Sequence, residues 1–179
     1  MCAEWKSYVM VEEKYKIVIF GAFGAGKSTL IQTLDPQAKH IEADCPVKYS
    51  TTIALDYGRV QFGERRVYLY GTPGQERFEF AREIIAKGMD GAVLLVDAGS
   101  PVDEFTRHLY ESLISAKVPF VVFLNKCEGK ESVPPAISAE FGTTPVWIVS
   151  AMERKPCLDA LCKFAMTLPA HVNGLSGKR

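Results

Sequence analysis

Four short runs in this chain are apolar without alternation. They are Lys16–Phe20 (KIVIF), Gly91–Val96 (GAVLLV), Pro119–Leu124 (PFVVFL) and Pro145–Val149 (PVWIV). Runs of this length, rich in β-branched residues and bounded by turn formers, predict strands buried on both faces. Ile53–Val60 and Arg66–Tyr70 read as two further strands joined through Phe62-Gly63-Glu64-Arg65, a hairpin connection. Between the strands the period changes. Lys27–Leu34 reads as a helix ended by Pro36, and Phe78–Ala86 as a helix ending before Gly88. Val102, Phe105, Leu109 and Leu113 recur at helical spacing behind Pro101 and Asp103. A short helix is predicted over 132–140 from Pro134-Pro135, and a last one over 156–168. Residues 35–51 show no period and read as a long loop.

Buried strands alternating with helices predict an α/β fold. The sheet is expected to be mostly parallel and six-stranded, with one antiparallel edge strand from the hairpin and helices on both faces. Residues 14–168 are expected to form one domain, with extensions at 1–13 and 169–179; 179 residues suit a single core.

Composition narrows the chemistry. Hydrophobic residues make up 47% and charged residues 23%, which suits a globular chain, and 21 basic residues balance 21 acidic ones. That balance argues against a general nucleic-acid or polybasic membrane binder. The five cysteines form no CxxC pair and read as reduced cytosolic thiols. No apolar run approaches the roughly 20 residues of a membrane span. A cytoplasmic protein without an integral membrane segment is expected; Cys2 is a weak acylation signal.

The strongest motif is Gly21-Ala-Phe-Gly-Ala-Gly26-Lys27-Ser28, which fits G-x-x-x-x-G-K-[ST] between a predicted strand and a predicted helix. Glycines let successive N–H groups curl into an anion nest, and the following helix adds its positive end. Lys27 supplies a point charge for β- and γ-phosphates, and Ser28 a hydroxyl for Mg²⁺. The phosphate-binding set is therefore Gly21, Gly24, Ala25, Gly26, Lys27, Ser28 and Thr29. Three more polar segments follow predicted strands: Gly71-Thr-Pro-Gly74-Gln75-Glu76-Arg77-Phe78, Asn125-Lys126-Cys127-Glu128 and Ser150-Ala151. All fall at strand C-termini, where open α/β sheets bind ligands.

With these four segments in order, residues 14–168 resemble the Ras-like small GTPases, a P-loop NTPase G domain. The words TTIALDYG (51–58) and GTPGQERF (71–78) are most similar to the bacterial and archaeal branch that includes the gliding-motility GTPase. The resemblance implies GTP/GDP with Mg²⁺, slow GTP hydrolysis and a molecular switch. It implies that Thr52 contacts Mg²⁺ with Ser28, and that Tyr49 folds over the phosphates. By the same resemblance Gly74 would sense the γ-phosphate, and Gln75 would orient the attacking water. Asn125, Lys126 and Glu128 would hold the guanine beside Ser150, and Ala151 would donate its N–H to the base. Gln75, Lys27 and Thr52 would be the catalytic set, and residues 45–58 and 71–80 would meet effector, activating or exchange proteins.

Two positions depart from the family pattern. The aspartate that opens DxxG is Gly71, and Glu128 replaces the aspartate of NKxD. Asp56, on the neighbouring strand, is either a substitute carboxylate for Mg²⁺ or an ordinary polar strand residue. Arg77 reads as a helix-start residue, and Asp97 as structural. His40, His108 and His171 show no evident partner. The alternatives are a nucleotide-binding interaction module without turnover and an ATP-preferring P-loop protein.

Overall fold

The computed structural model describes residues 13–45, 51–127 and 132–170, with the backbone alone at 42–45 and 51–54. Its strands are β1 (Glu13–Phe20), β2 (Lys39–Cys45), β3 (Thr51–Phe62), β4 (Arg65–Gly71), β5 (Gly91–Asp97), β6 (Phe120–Asn125) and β7 (Val146–Ile148). Its helices are α1 (Lys27–Leu34), α2 (Glu79–Ala86), α3 (Glu104–Ala116), α4 (Pro135–Glu140) and α5 (Arg154–Thr167). One 3₁₀ turn, Glu76–Phe78, precedes α2.

The strands form one sheet in the order β2-β3-β4-β1-β5-β6-β7. β1 lies at its centre, parallel to both β4 and β5. Its alternate side chains explain why it reads as continuously apolar. Tyr15, Ile17 and Ile19 enter a core with Leu30 and Ile31 of α1 and Leu161 and Phe164 of α5. Val18 and Phe20 enter a second core with Leu109 and Leu113 of α3. A strand with a core on each face has no polar side to show.

Helix ends follow local chemistry. The Asp103 carboxylate accepts the Thr106 N–H at 2.7 Å and caps α3. α1 stops at Asp35, one residue before Pro36, and the Asp35 carboxylate accepts the Arg59 N–H of β3 at 2.9 Å. The expected start of the helix at Phe78 is displaced by the 3₁₀ turn, and α2 begins at Glu79.

Among the described residues the sheet has seven strands, one more than the six expected, and the extra one lies inside the expected 35–51 loop. β2 pairs antiparallel with β3 from Lys39↔Tyr57 to Cys45↔Thr51. In its sequence, KHIEADC, Ile41, Ala43 and Cys45 alternate with polar residues, but two of the three are small, weak strand formers, and Lys39, His40 and Ile41 are exposed. So short and weak an alternation, next to a stretch without period, is easily passed over as loop. The reversed strand is accordingly β3, which runs against both β2 and β4, and β2 is the edge.

Candidate active site

The turn after β1 curls tightly because two glycines permit it. Gly21 has φ 148°, and a Cβ there would lie 2.3 Å from the Leu95 carbonyl oxygen. Gly26 has φ 102°, and a Cβ there would lie 2.5 Å from Asn125 Nδ2. A side chain at 21 would therefore meet the β5 backbone and one at 26 the Asn125 amide, and both positions hold a φ that favours glycine. Lys27 then opens α1 almost wholly buried, its Nζ donating to the Gly21 and Ala22 carbonyls at 2.8 Å each. Burial pulls its pKa down to about 8, against the attraction of Asp56, with Arg82 lowering it further.

Two clefts meet at this turn and share Gly24, Gly26 and Thr29. One, of about 510 Å³, runs between Asn125-Lys126-Cys127 and the segment from Ile148 to Glu153, and includes Ser150 and Ala151. The other, of about 490 Å³, is lined by Lys27, Ser28, Asp56, Gly74, Gln75 and Arg77 among others. The first suits a planar base and the second suits phosphates, with the turn between them.

Asn125 is buried and joins three elements. Its Nδ2 donates to the Ala25 carbonyl at 2.9 Å, and its Oδ1 accepts the Ala151 N–H at 2.9 Å. The N–H expected to meet the base thus meets Asn125 here. Lys126, at φ 60°, donates from Nζ to the Gly24 carbonyl (2.9 Å) and to Asp97 Oδ2 (2.6 Å). Burial alone would raise the Asp97 pKa, but the Lys126 and Gly99 hydrogen bonds carry it below the usual carboxylate range. Asp97 therefore acts on the site through Lys126.

Gly71 ends β4 directly opposite Asp56 of β3. Asp56 is buried, accepts from Ser28 Oγ at 2.5 Å through Oδ2, and lies 2.7 Å from His40 Nδ1 through Oδ1. A carboxylate thus stands beside the hydroxyl expected to meet Mg²⁺, although the DxxG aspartate is missing. Among the described residues no group of three His, Cys, Asp or Glu side chains could hold a metal ion. A hydroxyl and one carboxylate nevertheless suit Mg²⁺, which takes few protein ligands and keeps waters and substrate phosphates as the rest.

The Gly74 loop rests on the phosphate turn; a Cβ at Gly74 would lie 2.6 Å from both Lys27 Nζ and the Phe23 nitrogen. Gln75 is exposed in the cleft, and its Oε1 accepts from Arg77 Nε at 2.9 Å. Thr52 lies in β3 opposite Asp44, where only the backbone is described. Tyr49, Glu128 and His171 lie outside the described residues. His108 stands 3.6 Å from Glu79, both exposed, away from the clefts.

Two contributors were missed in the sequence. His40 was hidden because β2 was read as loop. Arg82 is buried in α2, and its guanidinium donates to the Gln75 carbonyl (2.6 Å) and the Glu76 carbonyl (3.0 Å) and lies 4.9 Å from the Phe105 ring. A signal for it existed: Phe78, Arg82 and Ile85 follow i, i+4, i+7 spacing, which puts the arginine on the buried stripe.

A glycine-lined turn between strand and helix, two adjoining clefts and the Gly74 loop at one edge of a mostly parallel sheet are the arrangement of a P-loop GTPase. The elongation factor Tu GTP-binding domain family matches residues 12–165, and the chain belongs to that family. An uncharacterized protein of Methanocaldococcus jannaschii is 32% identical over 119 residues, 66% of this chain and 74% of that one. Translation initiation factor IF-2 of a Synechococcus strain is 28% identical over 162 residues, 84% of this chain but 15% of that protein's length. The crystal structure of the G domain of the Thermotoga maritima FeoB iron transporter shares the fold, with TM-score 0.66 at 18% identity, covering 86% of this chain and 98% of that one. The chain is a GTP-binding protein by family. No helix among the described residues is long and apolar enough to cross a membrane.

Proposed function

We propose that this chain binds GTP and GDP with Mg²⁺, hydrolyses GTP slowly, and presents residues 45–58 and 71–80 to protein partners according to the nucleotide bound. The observation that carries this reading is the contact between Gly74 and Lys27. The loop that would sense a γ-phosphate rests on the lysine that would hold it. A phosphate drawing on Lys27 would also bear on Gly74 and, one residue on, Gln75. An order change in this loop is what a partner would read.

Ser28 and Asp56 would hold Mg²⁺, with Thr52 completing the set as the family resemblance implies. When bound, the ion neutralises charge on the β- and γ-phosphates. Lys27 exchanges its two carbonyl partners for phosphate oxygens. Asn125 keeps the base cleft and the phosphate turn in fixed relation, and Lys126 lies along the base cleft with Asp97 holding its ammonium. Gln75 orients the attacking water through its amide, which needs the Arg77 hydrogen bond to open. No protein nucleophile is required.

That Arg77 contact favours the second reading, a nucleotide-binding interaction module without turnover. Mass spectrometry of nucleotide released from the purified protein, with GTP and ATP competing for the site, tests the binding. Guanine nucleotide is expected; co-purifying ATP would contradict the specificity.

A further inference from the structure

Each oxygen of the Asp56 carboxylate has its own partner, and the partners come from different elements. Oδ2 takes the Ser28 hydroxyl at the start of α1, and Oδ1 takes Nδ1 of His40 on β2 at 2.7 Å. His40 stands directly opposite Asp56 in the β2–β3 ladder, so the two side chains share one face of the sheet. Asp56 in turn stands opposite Gly71, where a Cβ would lie 3.3 Å from Oδ2 and 3.0 Å from Ile31 Cδ1. The β4 side therefore leaves the carboxylate space and gives it no polar partner. A row across three strands thus sets one carboxylate beside the phosphate turn, with Ser28 on one oxygen and the edge-strand histidine on the other.

We propose that His40 is a positioning residue for the Mg²⁺ site. Its Nδ1–H donates to Asp56 Oδ1, which fixes the plane of the carboxylate and keeps Oδ2 turned toward Ser28. Partners of this kind orient a metal's carboxylate and tune its affinity without touching the ion. The consequence is regulatory: β2 is the edge strand of the sheet among the described residues, so anything that shifts this edge shifts the carboxylate and with it the hold on Mg²⁺. The inference rests on the nucleotide reading above.

The test uses the full chain loaded with a fluorescent GDP analogue. Release is timed in millimolar Mg²⁺ and again in excess EDTA, and the rate in EDTA divided by the rate in Mg²⁺ measures what Mg²⁺ contributes. His40→Ala is expected to lower this ratio by about tenfold. His40→Asn, whose amide nitrogen takes the place of Nδ1, is expected to recover most of it. Simple loosening of β2 would raise both rates and leave the ratio unchanged, and an unchanged ratio overturns the proposal. So does failure of His40→Asn to recover where His40→Ala has lost. A wild-type protein that retains no analogue under either condition would instead sink the nucleotide reading itself.

Discussion

Asp56 and Gly71 face each other across the β3–β4 ladder, and the Asp56 side chain fills part of the space a side chain at 71 would need. A Cβ at Gly71 would lie 3.2 Å from Asp56 Cβ and 3.3 Å from Oδ2. The resemblance puts the DxxG aspartate at the Gly71 position, and the acid here stands on the facing strand at Asp56. Under the Mg²⁺ reading proposed above, the two positions act as one feature.

Gly71→Asp should destabilise the wild-type protein, because two carboxylates then crowd one space beside Ile31. With Asp56→Ala in the same chain most of that loss should vanish. The coupling in a double-mutant cycle should reach about 1–3 kcal/mol. Urea denaturation of the four proteins measures it; strictly additive losses would show that the positions are independent.

Lys27 gives a pH dependence. Nucleotide phosphates require its charged form, while burial sets its pKa in the free protein at about 8. Binding above that pH takes up a proton, so affinity falls as pH rises, by roughly tenfold at pH 9 relative to pH 7. Folding stability of the free protein runs the other way. The unfolded lysine stays protonated to about 10.4, so between about pH 8 and that value the unfolded state binds more protons and stability rises with pH. Titration calorimetry of GDP binding from pH 6.5 to 9 checks the first effect, with Lys27→Met as the control for nucleotide ionisation. A slope common to both proteins would assign the proton elsewhere.

Arg82→Met keeps an apolar stem in α2 but removes the donors that hold the Gln75 and Glu76 carbonyls. The expected cost is about 1–3 kcal/mol of stability. Amide hydrogen exchange should rise over residues 73–78 and stay unchanged in β5 and β6. Equal protection of 73–78 in both proteins would remove Arg82 from the account of this loop.

The pattern of these effects shows what the sequence makes visible. β1, β5 and β6 are apolar on both faces, and helices alternate with them, so their type is legible in the apolar runs and their direction in that alternation. The phosphate turn is legible because its glycines are demanded by backbone geometry at Gly21 and Gly26. β2 is harder to read, since its alternation is short, rests on Ile41, Ala43 and Cys45, and belongs to an edge strand with a single neighbour. His40 disappears with it. Arg82 shows a second limit: its partners are backbone carbonyls, which carry no residue identity in a sequence. Nor does Asn125 advertise that its amide spans from Ala25 to Ala151, 26 residues away along the chain in one direction and 100 in the other.

Single-turnover GTP hydrolysis by the wild-type chain and by Gln75→Leu tests the central claim most directly. The amide of Gln75 can accept from the attacking water and donate toward developing charge, which leucine cannot do. Phosphate release should slow by roughly 10- to 100-fold, about 1.4 to 2.7 kcal/mol of barrier. GTP affinity, measured by competition with a fluorescent analogue, should change little, because the contact belongs to the transition state. Measurable turnover in the wild type, lost on this scale in Gln75→Leu, is the predicted result. Turnover unaffected by the substitution, or none in the wild type even with cell extract added as a source of activator, would contradict the account.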